Sequence, residues 1–341
     1  MKAVIMAGGE GRRLRAVSGE RPKPLTPLLG RPIMEHIIEL LRKEGFEDIC
    51  AAVKYKAEDI EKHFSDGSRL GVRLQYRLEK DALGTAGAVK NCADFIGNED
   101  VLVISGDAAC DFSLSRLMQE HRETGAAVTM ALYPHSSPLS YGLTVTDSEN
   151  FVRAFVEKPL WPRVVSELVN TGIYIISPRV LELVPQGESF DFAKQLFPLL
   201  LEKGEKLLGL PMEGYWCDIG EPLSYYRCCA DALEGKLKLE PAEEFKTAEN
   251  SVSEATEEDS ARVLEYRCVN RARLMGALSR ALLEMDADYS DGIRLSSPRY
   301  SLHVSPLAAR SAIRIAVASE DAEFADRLAL SFRELAKALD I

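Results

Sequence analysis

Basic residues are in deficit in this chain. Its 42 lysines and arginines stand against 53 aspartates and glutamates, a net charge of −11. A general nucleic-acid binder is expected to carry the opposite sign, so that class is disfavoured. No apolar run reaches the length of a membrane span. The chain opens on a short apolar run that goes straight into Gly8-Gly9, without a signal-peptide core or a small-residue cleavage site. No targeting segment is therefore expected. The seven cysteines form no C-x-x-C pair, and an odd count at scattered positions reads as the reduced thiols of a cytoplasmic protein. Histidines number only five, and none falls in a Ser-His or Cys-His arrangement, so a nucleophilic triad is not expected. Two familiar phosphate loops are missing as well. No Lys-Ser or Lys-Thr follows the first glycines, which excludes a P-loop, and Leu14 stands where a dinucleotide fingerprint needs its third glycine.

What remains is an ordinary globular composition, 46% hydrophobic and 28% charged over 341 residues, long enough for two domains. The run Ala3-Val4-Ile5-Met6-Ala7 reads as a buried parallel strand. It leads into Gly8-Gly9-Glu10-Gly11-Arg12-Arg13-Leu14, and Arg21-Pro22-Lys23-Pro24-Leu25 follows. Residues without Cβ let backbone N–H groups turn inward, and such a concavity suits a phosphate oxyanion. Arg12, Arg13 and Lys23 add positive charge, so the segment points to a nucleotide polyphosphate.

From residue 1 to about 236, short apolar runs alternate with helical periodicity. Met34, Ile37, Ile38 and Leu41 share a helix face, while 49–53, 72–76 and 101–105 read as strands. This βα alternation predicts an α/β fold, a Rossmann-like, mainly parallel sheet flanked by helices. Sites in such sheets sit at the carboxyl ends of strands, which is where Gly8 and Gly106 fall. Asp107 follows the 101–105 strand, and Asp218 lies in Gly214-Tyr215-Trp216-Cys217-Asp218-Ile219-Gly220. Singly, the first reads as a turn residue and the second as a helix N-cap. As a pair they suit Mg²⁺, which is held by one or two carboxylates plus phosphate oxygens and water.

The remaining 105 or so residues are predicted to form a linker and a small α+β domain. Residues 237–265 are strongly acidic and lack an apolar period, as expected of a solvated linker. Over 266–341 the pattern predicts a helix at 271–285, strands at 292–295, 300–304 and 312–317, and a final helix opened by Ser319-Glu320-Asp321. Phe324, Leu328, Phe332, Leu335 and Leu339 give that helix one apolar stripe to lay on the strands.

Taken together, Gly-Gly-x-Gly-x-Arg-Leu and Pro-Lys-Pro-Leu resemble the sugar-phosphate nucleotidyltransferases, which make NDP-sugars and share a GT-A-like fold. The resemblance covers 1–236 and departs at Arg12, where the family usually carries Thr. It implies that Gly8, Gly9, Gly11, Arg12 and the catalytic Arg13 meet the triphosphate, that Lys23 acts in catalysis, and that Asp107 and Asp218 hold Mg²⁺. It implies that Leu83-Gly84-Thr85-Ala86-Gly87 reads the base, with Gly84 and Thr85 against it and Glu79 or Asp81 accepting from guanine N–H groups. Gly142, Glu157, Lys158 and Asn170 match the sugar-phosphate side. The form of the base loop, with Asn170-Thr171-Gly172 and Phe190-Asp191-Phe192, resembles the mannose-1-phosphate guanylyltransferase branch. GTP and mannose 1-phosphate are therefore the expected substrates. Other sugars and bases (glucose 1-phosphate with UTP or dTTP, heptose or N-acetylmuramate 1-phosphate) stay open, as does a non-catalytic NDP-sugar-binding regulatory subunit.

The tail, through Asp291-Gly292-Ile293-Arg294, 298–304 and 313–315, resembles the last domain of phosphomannomutases and phosphoglucomutases. Its matching loop, 304–311, lacks that family's Thr and Glu, so it is expected to be a remnant used for packing, regulation or assembly into a homo-oligomer.

Overall fold

The structure is a computed structural model that describes residues 1–135, 141–157, 166–233, 235–240, 261–267, 287–288, 293–296, 300–306 and 312–339. The chain starts with β1 (Lys2–Ala7), a 3-10 turn (Arg12–Leu14) and the one-turn helix α1 (Arg15–Ser18). A second 3-10 turn (Lys23–Leu25) precedes the hairpin β2 (Pro27–Leu28) and β3 (Arg31–Pro32). Then come α2 (Ile33–Lys43), β4 (Asp48–Val53), α3 (Ala57–Phe64), β5 (Arg73–Leu78), α4 (Gly84–Lys90), α5 (Ala93–Ile96) and β6 (Val101–Ser105). The middle of the chain gives β7 (Ala108–Cys110), α6 (Leu114–Thr124), β8 (Val128–Pro134), β9 (Gly142–Thr146), β10 (Val152–Glu157) and β11 (Leu168–Ile176). It continues through α7 (Pro178–Leu181), a π-turn (Phe192–Leu196), α8 (Phe197–Glu202), β12 (Leu207–Pro211), β13 (Trp216–Asp218) and α9 (Pro222–Leu233). Beyond it lie β14 (Ala261–Arg267), β15 (Ala287–Asp288), β16 (Ile293–Ser296), β17 (Ser301–Pro306), β18 (Ala312–Ala318) and α10 (Ala322–Leu339).

Nine strands form the main sheet, in the order β10-β9-β11-β6-β1-β4-β5, with β8 on β11 and β12 on β8. The half formed by β6, β1, β4 and β5 is parallel, and β11 runs antiparallel against β6 and β8. The parallel strands are apolar on both faces because helices cover both. Val4, Ile5, Cys50, Ala51, Val103 and Ile104 are all fully buried. Helix α2 ends before a left-handed Gly45 and buries Met34, Ile37, Ile38 and Leu41, the face its apolar spacing predicts.

Two compact units result. The larger holds Met1–Glu10, Pro22–Pro24 and Ile33–Asp218, and so contains the whole main sheet. The second holds Gly11–Arg21, Leu25–Pro32 and Ile219–Ile341. In it β14-β18-β17-β16-β15 form an antiparallel sheet, and α10 lies on β14 and β18 with Phe324 and Leu328 buried. Strand β14 starts at Ala261, inside the stretch read from sequence as linker. The expected helix at 271–285, the acidic run 241–260 and residues 307–311 of the mutase-like loop lie outside the described residues.

Candidate active site

Strands β1 and β6 are neighbours in parallel register, Met6 opposite Ser105, so the chain leaves both at one edge of the sheet. Gly106 donates its N–H to Met6 O at 2.9 Å, and a Cβ on Gly106 would stand 2.9 Å from that same oxygen. Only a residue without a side chain lets the two strand ends approach this closely. Asp107 comes next, and the Ser105 hydroxyl donates to its Oδ1 at 2.5 Å.

The second aspartate arrives through a short antiparallel ribbon. Strand β13 pairs with β7 so that Asp218 lies opposite Ala108, the residue after Asp107. The ribbon is fastened by Asp111, whose Oδ1 accepts from Tyr215 N at 2.7 Å while its own N–H donates to Tyr215 O at 3.2 Å. Gly214 has φ +109°, and a Cβ there would fall 2.5 Å from Asp111 Oδ1, so glycine is required on both counts. Trp216 is buried, and its indole N–H donates to Thr171 O at 3.2 Å. The rings of Tyr141 and Tyr133 pack on it at 5.4 and 6.0 Å.

Both carboxylates face one ammonium. Lys23 Nζ contacts Asp107 Oδ2 and stands 3.8 Å from Asp218 Oδ1. Opposite unit charges about 4 Å apart near a protein surface attract by about 4 kcal/mol before desolvation is counted. Burial works against ionisation of Asp107. The Lys23 ammonium, its hydrogen bond, and those from Ser105 and the Asp107 backbone outweigh burial and hold this carboxyl below the usual range. Asp107 is therefore an anion at neutral pH. Among the described residues no three His, Cys, Asp or Glu side chains are grouped to hold a metal ion. Two carboxylates converging on one cation nonetheless suit Mg²⁺, whose remaining ligands are commonly phosphate and water oxygens.

The loop 83–87, expected to face the base, is clasped to the chain near 190. Phe190 O accepts from Ala86 N and Gly87 N at 2.9 and 3.0 Å, and Phe190 N donates to Leu83 O at 2.8 Å. Gly84 has φ +69°, and its missing Cβ faces Phe190 O at 2.7 Å; that of Gly87 faces Glu188 O at 2.8 Å. The small residues thus admit the protein's own backbone. The Thr85 hydroxyl donates to Asp191 Oδ2 and accepts from Phe192 N, both at 2.9 Å. Glu79 is 7% exposed, and burial raises its carboxyl above the usual range, opposed by the Leu83 N–H and Lys54. One of its oxygens accepts from Leu83 N at 3.4 Å. The other lies 2.7 Å from where a Gly8 Cβ would be, so Glu79 joins the 83–87 loop to the glycine turn.

Gly142 and Glu157, expected from the resemblance on the sugar-phosphate side, are register partners at the ends of β9 and β10. Asn170 opens an irregularity in β11, and its Oδ1 accepts from Gly172 N at 3.1 Å. Lys158 lies outside the described residues. In the glycine segment, Gly9 is exposed and a Cβ there would meet nothing within 4 Å. Gly11 is left-handed at φ 60°, Arg12 and Arg13 are exposed, and Leu14 is buried as the anchor of the turn. Sequence reasoning missed Ser105, Asp111 and the capping role of Asp191, which accepts from Ala193 N and Lys194 N.

A mixed sheet with a parallel half, a glycine turn after β1 and an aspartate just past the neighbouring β6 has the layout of a nucleotide-binding α/β protein. The Nucleotidyl transferase family matches residues 2–235, and the chain belongs to that family. UTP–glucose-1-phosphate uridylyltransferase of Synechocystis sp. is 37% identical over 251 residues, 70% of this chain and 65% of that protein. Mannose-1-phosphate guanylyltransferase of Mycobacterium tuberculosis is 34% identical over 234 residues, 68% of this chain and 65% of that protein. The chain thus spans about 65% of the length of these curated relatives. Among solved structures, HddC from Yersinia pseudotuberculosis complexed with GMP-PN has a TM-score of 0.59 at 28% identity, covering 68% of this chain and 99% of that one. The family match ends before β14, so the sheet of the tail lies beyond it. No helix among the described residues is long and apolar enough to cross a membrane.

Proposed function

We propose that the chain joins a nucleoside triphosphate to a sugar 1-phosphate, giving an NDP-sugar and pyrophosphate, with GTP and mannose 1-phosphate as substrates in the cytoplasm. The observation that carries this reading is the convergence of Asp107 and Asp218 on Lys23 beside the ends of β1 and β6. Asp107 and Asp218 would hold Mg²⁺. When bound, it supplies neutralisation of the charge on the α-phosphate. The nucleophile is a phosphate oxygen with a second pKa of about 6, ionised at neutral pH, so no protein base is needed. Catalysis is then positioning and charge stabilisation. Arg13 would meet the departing pyrophosphate, and Lys23 and Lys158 the sugar phosphate. Gly9 supports a ligand in the turn, because neither its backbone angle nor any neighbour among the described residues demands glycine there.

Guanine is favoured by Glu79, a buried acceptor beside Gly8 and Leu83, and by the GMP-PN bound to HddC. Gly142, Glu157 and Asn170 would take the sugar. A second reading keeps the chemistry with UTP and glucose 1-phosphate, on the higher identity to the uridylyltransferase. The test is pyrophosphate release over a matrix of the four NTPs and several sugar 1-phosphates, with Mg²⁺ present or chelated. GTP with mannose 1-phosphate should be fastest, and chelation should abolish release. No pyrophosphate from any pair would overturn the reading.

A further inference from the structure

In the proposed reaction, on which this inference rests, two carboxylates hold a divalent cation and Lys23 holds a phosphate. In the structure the Lys23 ammonium already contacts Asp107 and faces Asp218 at 3.8 Å. A divalent ion between those carboxylates would stand within a few ångströms of this ammonium, and like charges at that range repel. Lys23 is only 11% exposed, so water screens the repulsion little. The two cations therefore compete for the same carboxylate oxygens.

Three features make an exchange workable. Asp107 keeps a hydrogen bond from Ser105 that does not involve Lys23, so its carboxylate stays aimed when the lysine leaves. The strand pairing of β7 with β13 fixes Asp218 through the backbone. Lys23 itself sits in a 3-10 turn beside the buried Pro24, so its base is fixed while its four-carbon stem can swing.

We propose that Lys23 is an internal counter-cation. It neutralises the paired carboxylates in the free protein, is displaced by the incoming divalent ion, and is thereby released to the phosphate. Such an exchange makes metal and phosphate binding mutually reinforcing, because each removes the other's competitor.

The probe is Mn²⁺ alone, without nucleotide, with free ion read by electron paramagnetic resonance. Lys23→Met and Lys23→Gln should bind Mn²⁺ on the order of tenfold more tightly than the unaltered chain. Unchanged or weaker binding, still lost on adding Asp218→Asn, overturns the exchange and leaves the metal site standing. Binding that Asp218→Asn does not weaken overturns the metal site and the exchange with it. If neither lysine variant folds by circular dichroism, the unaltered chain with ¹³C-methylated lysines decides. Addition of Mg²⁺ should shift the Lys23 resonance in nuclear magnetic resonance spectra, and a stationary resonance overturns the proposal.

Discussion

Asp107 and Asp218 read singly as a turn residue and a helix N-cap, and they stand out only as a pair, through the resemblance of their runs, Ser-Gly-Asp and Trp-Cys-Asp-Ile-Gly, to the nucleotidyltransferases. Asp111 cannot be read from sequence, because its work is done on a backbone N–H that lies far along the chain and arrives only when β13 pairs with β7. Its effect runs through the ribbon that carries Asp218. Asp111→Ala should lower kcat about tenfold through misplacement of Asp218. Asp111→Asn, which retains an acceptor for Tyr215 N–H, should restore most of it. Steady-state kinetics of the two variants check this; equal losses would assign Asp111 another role. Glu79 makes a separate prediction. A hydrogen bond to a charged group is worth about 1.5–3 kcal/mol. Glu79→Gln should therefore reduce the kcat/KM preference for GTP over ATP by at least about tenfold, and an unaltered ratio would remove Glu79 from base selection.

At the scale of elements, the apolar runs and the helix spacing located β1, β4, β6 and α2 to within a few residues, because buried parallel strands and amphipathic helices leave strong patterns. The glycines of the base loop were less transparent. The resemblance assigns them to the base, and in the structure the 188–190 backbone stands where a Cβ of Gly84 or Gly87 would fall. Helix α6 shows another feature that no pattern reveals. His121 is buried, with Nδ1 2.9 Å from Thr129 Oγ1 on β8 and Nε2 3.1 Å from Ser177 Oγ after β11. Burial pushes its pKa below the ordinary value, partly opposed by Asp100 at 3.7 Å. The unfolded chain then binds a proton that the folded one refuses. The stability contributed by neutral His121 is complete above about pH 7 and is lost as pH falls through the unfolded value near 6.5 toward the lower folded one. Thermal melts from pH 8 to 5 should show a falling Tm, with a shallower fall in His121→Gln. Parallel curves would exclude His121 as the source.

For the whole molecule, the family resemblance of 1–236 anticipated the sheet, but not which pieces would group together. The turn Gly11–Leu14 and α1 belong to the compact unit of the tail, and α10 packs against α1 and α9 within it. Tyr225 of α9 also donates from its hydroxyl to Pro27 O at 2.7 Å. These contacts join residues hundreds of positions apart, beyond the reach of any local pattern. The tail thus supports the helix that directly follows Arg12 and Arg13. Removing 261–341 should raise KM for the NTP by about tenfold while leaving KM for the sugar 1-phosphate within about twofold, a coupling of ordinary size. Equal KM values in the full and shortened chains would assign the tail to packing or assembly alone.

The most direct measurement is the turnover of Asp107→Asn, Asp218→Asn and the double variant in a pyrophosphate-release assay at saturating Mg²⁺. If both carboxylates serve one cation, each single change should cost on the order of a hundredfold or more. The double change should then cost far less than the product of the two, as for groups acting as a unit. Turnover of Asp218→Asn equal to that of the unaltered chain, or losses that multiply, would contradict a shared site.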